Sequence, residues 1–116
     1  MFHEPAWTAQ KAIGFYGNNQ AMRDYYCPVF KQEGVKVAVQ GHLHYYSRCA
    51  TDEIEYLTLG GGTKLFDAIE TDAPAFVTGE SGTNHFARFD VIDNHSMKVT
   101  IINKDNTVMD SFTVNQ

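Results

Sequence analysis

The chain has 116 residues and a formal net charge of −5, with 43% hydrophobic and 13% aromatic residues. That is enough apolar material for one core, and too many aromatics for a disordered chain. Nine Lys and Arg in all cannot form the basic stripe of a nucleic-acid surface, so nucleic acid is excluded as a partner class. No apolar run nears the ~20 residues of a membrane-spanning helix, so no membrane partner is expected. No secretory leader is visible. Two cysteines, Cys27 and Cys49, are too few for a disulfide framework. They read as two buried thiols, with a bridge between them as the alternative.

Residues 1–59 read as strand, loop, helix, strand, loop, strand. Phe2-His3-Glu4-Pro5 is the stub of a strand. Pro5 ends it, because proline cannot donate to a ladder and holds Glu4 extended. Asn18 or Asn19 is the N-cap of a helix. Its apolar face is Met22, Tyr25, Tyr26, Val29 and Phe30, recurring at roughly three- and four-residue spacing. Pro28 inside that pattern predicts a kink or a break, and Gly34 predicts the stop. Val35-Lys36-Val37-Ala38-Val39 is a short β-branched strand. Strand, crossover helix and strand make a βαβ unit, whose functional loops lie at the C-terminal ends of its strands. His3 and His42 both fall at such ends.

Glu55-Tyr56-Leu57-Thr58-Leu59 is a further strand, ending in Gly60-Gly61-Gly62. Residues 63–83 carry Gly, Asp and Pro and read as one long loop. Strands are expected at residues 85–92, 97–102 and 107–114, with turns at Asp93-Asn94 and Lys104-Asp105-Asn106. Phe86, Phe89, Val91, Val99, Ile101, Val108 and Phe112 would supply their core. The fold class is therefore α+β in a single domain. A βαβ-like half (1–59) leads into a loop and a mostly antiparallel β-meander (60–116).

The chemistry concentrates at Gly41-His42-Leu43-His44. Residues i and i+2 of an extended segment point to one side, so His42 and His44 can converge while Leu43 turns into the core. Gly41 permits a tight departure from the strand. Neutral imidazoles suit zinc, iron, manganese or nickel. With His3 they offer up to three nitrogens and an open position, as a catalytic metal site requires. The competing reading of a His-x-His pair is ordinary polar residues on a loop.

The neighbouring residues sharpen this choice. His3-Glu4-Pro5-Ala6-Trp7, Gly41-His42-Leu43-His44-Tyr45-Tyr46-Ser47-Arg48 and Tyr56-Leu57-Thr58-Leu59-Gly60-Gly61-Gly62 occur in that order. His85, Arg88 and Val91 follow later. Together they resemble the C-terminal half of the calcineurin-like metallophosphoesterase superfamily, in its purple-acid-phosphatase-like branch. The resemblance implies a four-layer α/β/β/α sandwich and Fe, Zn or Mn ions. It implies His3 and His42 on one metal and His44 on the other, with phosphate mono- or diesters hydrolysed by metal-activated water. Tyr46 and Arg48 would be substrate-side residues, or else packing and bracing residues. An exported or periplasmic location is the one such relatives favour.

The departures are equally informative. Upstream Asp-x-His, Gly-Asp and Gly-Asn-His elements of that superfamily do not occur here. Asp67, Asp72, Asp90 and Asp93 have the wrong neighbours, and Asn84-His85 lies downstream without the glycine. Residues 9–13 lack a further histidine. Two divalent ions without a bridging carboxylate would repel strongly. The chain alone is thus expected to be incomplete and inactive, its partners being phosphate or a phosphate ester and a missing N-terminal half. Strand edges and apolar faces bared by such a truncation would favour a homo-oligomer. Two alternatives stay open: a non-catalytic binding or structural module with vestigial histidines, and a mononuclear zinc site built from His3, His42 and His44. Gly60-Gly61-Gly62-Thr63-Lys64 lacks the spacing of a phosphate loop and reads as a turn.

Overall fold

The structure, a computed structural model, describes residues 1–9, 19–65, 69 and 75–116. Asn18, Asp67, Asp72 and residues 10–13 lie outside the described residues. The elements are α1 (Cys27–Gln32), β1 (Val37–Gln40), β2 (Tyr46–Thr51), β3 (Ile54–Leu59), β4 (Phe76–Glu80), β5 (His85–Val91), β6 (Ser96–Asn103) and β7 (Val108–Asn115), with a π-helical turn at Met22–Tyr26 leading into α1. One sheet has the order β1-β3-β2-β4 and the other β5-β6-β7. The pair β1/β3 is parallel and every other pairing is antiparallel. The fold is α+β.

The helix starts where expected. Asn19 Oδ1 accepts the Met22 N–H at 3.1 Å, three residues on, as an N-cap does. The interior departs from the expected face. Pro28 has no N–H, and its ring crowds the carbonyl four residues back, so the preceding turn widens. The Cys27 N–H accordingly donates to Met22 O, five residues back. That extra residue rotates the face. Met22, Cys27 and Phe30 pack on the first sheet, whereas Tyr25, Tyr26 and Val29 are exposed. The helix then ends in a Schellman motif. The Gly34 N–H donates to Lys31 O, the Val35 N–H donates to Phe30 O, and Gly34 takes φ +69°.

Phe2-His3 is not a regular strand, but two backbone bonds tie it to β1. The Phe2 N–H donates to Val39 O, and the Gly41 N–H donates to His3 O, both at 3.0 Å. Two strands were not expected from the sequence. Tyr46–Thr51 forms β2, a hairpin with β3 through Asp52 and Glu53, both left-handed (φ 53° and 62°), the conformation of a type I′ turn. Phe76–Glu80 forms β4 within the expected long loop and pairs with β2.

β3 is buried on both faces and organises the layers. Ile54 and Tyr56 join Ala6, Cys27, Ala38 and Cys49 in a core beneath the helix. Leu57 joins Tyr46, Val99 and Ile101 in the core between the sheets. Among the described residues the layering is thus helix, sheet, sheet. The second-sheet core is smaller than expected. Val99 and Ile101 are fully buried, but Phe86, Phe89, Val91 and Val108 are exposed. Phe86 and Val108 sit opposite Ile102 in register, on the face turned away from the first sheet. A meander with strong alternation in sequence does not reveal which end or face overhangs its partner.

Candidate functional site

The parallel pair β1/β3 places its C-terminal ends together, and the histidines gather there. His3, His42 and His44 line one shallow depression with Leu59 and the Gly60–Thr63 turn. His3 Nε2 lies 3.0 Å from His42 Nδ1, with the rings edge-to-face at 5.0 Å between centroids. Two imidazoles 39 residues apart are thereby joined by one hydrogen bond, one nitrogen donating and the other accepting.

The loop that delivers them is tightly folded. The Leu43 N–H donates to Gly41 O, and the Tyr45 N–H donates to Leu43 O, two successive three-residue turns. Leu43 enters the core, as expected. The strained position is His42, at φ +69°, and not Gly41. A Cβ at Gly41 would meet His3 Nδ1 at 3.5 Å and His3 O at 3.8 Å, both ordinary contacts. Glycine is required at Gly60 instead, where a Cβ would stand 1.8 Å from Leu43 O.

Zinc–nitrogen bonds of about 2.0–2.1 Å at a tetrahedral angle place two ligand nitrogens about 3.3 Å apart. The His3–His42 pair is a few tenths of an ångström from that spacing. It supplies two donors. Among the described residues no group of three His, Cys, Asp or Glu side chains is arranged to hold a metal ion.

Tyr46 and Arg48 are engaged elsewhere. The Tyr46 OH donates to Asp110 Oδ2 at 2.6 Å, and Arg48 Nε donates to the same oxygen at 2.8 Å. Arg48 also pairs with Glu55 at 3.4 Å and lies 4.5 Å over the Phe112 ring. These contacts bolt β2 to β7 across the sheets. Burial first, and then the Asp110 carboxylate, push the Tyr46 phenol well above its ordinary range. Neither residue lines the histidine depression.

The sequence reading missed a buried polar network behind the loop. Thr8 Oγ1 meets Tyr45 OH at 2.8 Å, Ser47 Oγ at 3.1 Å and Thr58 Oγ1 at 3.0 Å. Gln40 donates to Thr58 Oγ1 and Trp7 O and accepts the Ala6 N–H. The network pins residues 6–9 over β1, β2 and β3. Alternation within each strand was the one available signal: Gln40, Ser47 and Thr58 occupy inward positions.

The fold and the depression together define an α+β domain with imidazoles at a parallel strand end. A solved structure shares that fold: GAP50, the anchor in the inner membrane complex of Plasmodium, at TM-score 0.82 and 15% identity over 97% of this chain. The chain spans 34% of that protein's length. No model of a known protein family matches, and no curated protein does.

These findings overturn the resemblance to the calcineurin-like metallophosphoesterases. The structural neighbour is described as an anchor, and no family or curated match supports a metallophosphoesterase. Four of the residues that carried the resemblance, Gly60, Gly61, Tyr46 and Arg48, have structural duties. Gly60 clears Leu43 O, and Gly61 clears the His85 ring, which a Cβ would approach to 2.2 Å. Tyr46 and Arg48 hold Asp110. Backbone packing and an inter-sheet tie account for these positions without a ligand set.

Proposed function

We propose that the chain is a metal-binding portion of a larger assembly, with His3 and His42 as its first two ligands and His44 beside them. The observation that carries this reading is the 3.0 Å approach of His3 Nε2 to His42 Nδ1. Imidazole donors favour a zinc-, iron- or manganese-type ion. Water or groups from another polypeptide would complete the coordination. With carboxylate ligands so supplied, such a centre could activate water against a phosphate mono- or diester. The chain alone is expected to bind metal without turnover.

Titration calorimetry with Zn²⁺, run beside an assay with an artificial phosphate ester, tests this reading. One equivalent bound by the wild type, and lost in both His3→Ala and His42→Ala, supports it. Absence of Zn²⁺ binding overturns it and favours a non-catalytic assembly module. That second reading draws on the structural neighbour, which is described as an anchor.

A further inference from the structure

Two residues that open the second sheet hold the wall of the histidine depression in the first. Asn84 Nδ2 donates to Gly61 O at 2.7 Å and to Thr63 O at 3.0 Å. Its own carbonyl accepts the Lys104 N–H at 2.9 Å, which fixes Asn84 to the β6–β7 turn. His85 is only 8% exposed and fills the space beneath Gly61. Its Nδ1 faces Thr83 O at 2.9 Å. A carbonyl only accepts, so Nδ1 carries a proton and donates it to Thr83 O. The ring stands edge-on to Tyr46 at 5.7 Å.

The turn held from below is seated on the histidine loop from above. The Gly60 N–H donates to Tyr45 O at 3.1 Å, and Gly60 passes directly over Leu43 O and the His44 Cα. The contact path therefore runs from Asn84 and His85 through Gly61 and Gly60 to Leu43 and His44. We infer that Asn84 and His85 are positioning residues for the imidazole site, through which the second sheet sets the placement of His44 against the His3–His42 pair. The inference rests on the reading of the depression as a binding site. It concerns the role of Asn84-His85, which the sequence left without one.

Asn84→Asp keeps the shape and removes both N–H donors. Asn94→Asp, on the exposed β5–β6 turn, is the control. The readout is the imidazole ¹⁵N spectrum of the full chain, recorded without metal, with thermal unfolding alongside. Displaced His42 and His44 ring signals in Asn84→Asp, with none in Asn94→Asp, are the expected result. Zn²⁺ affinity should fall about tenfold in the same variant. Ring signals that stay at their wild-type positions while the melting temperature falls would reduce Asn84 to a merely structural residue and overturn the inference. Should Asn84→Asp not fold, Asn84→Ser is read in the same way. A wild type that binds no Zn²⁺ sinks the metal reading alone, since the spectrum still decides the positioning role.

Discussion

Gly41 and Gly60 flank the histidine loop under different demands. A Cβ at Gly60 would collide with the Leu43 carbonyl, which is backbone and cannot swing aside, whereas Gly41 has room for one. Gly60→Ala should therefore cost about 3 kcal/mol or more, and Gly41→Ala under about 0.5 kcal/mol, in urea unfolding. Equal costs would show that the loop relaxes freely. Cys49 gives a prediction with a pH sign. It is fully buried, and burial pushes its thiol up from 9.0 to about 12. A raised folded value means that the fold favours the protonated thiol. That contribution is complete below pH 9.0 and is lost as pH rises toward about 12. Cys49 should resist alkylation at neutral pH in the native protein and react fully only in denaturant. Prompt native alkylation of Cys49, identified by peptide mapping, would contradict this.

At the scale of elements, the N-cap at Asn19, the stop at Gly34 and the two hairpin turns of the meander were legible because each depends on a few adjacent residues. The inward face of the helix was not. A single proline inserted one residue into the turn, and Cys27 took the place expected of Tyr26. β4 was hidden for another reason: as an edge strand with Gly79 near its end, it lacks the alternating apolar run that marks a strand. The meander shows how element and face part company. Ile101 and Phe86 lie on adjacent strands and are both strongly apolar, yet one is fully buried and the other is 54% exposed. Ile101→Ala is expected to cost about 3 kcal/mol, and Phe86→Ala less than about 1 kcal/mol, in chemical denaturation. A large loss at Phe86 would mean that a partner covers that face in solution.

At the scale of the molecule, Phe86, Val91, Ile92 and Val108 on the second sheet, and Tyr25, Tyr26 and Val29 on the helix, leave apolar surface in contact with water. Among the described residues, the sheet edges at β4, β5 and β7 pair with no further strand. Self-association is the expected behaviour, rising with concentration in static light scattering; a constant monomer mass across the concentration range would refute it. The sequence by itself determined the α+β class, the helix caps, the meander and the polarity of the histidine loop, because those follow from local spacing, turn chemistry and alternation. Only the tertiary structure decided that His3 meets His42, that Tyr46 and Arg48 serve Asp110, and that Asn84 and His85 brace the Gly60–Thr63 turn. These contacts join residues tens of positions apart. Their geometry depends on how β3, buried on both faces, seats the helix on one side and the second sheet on the other.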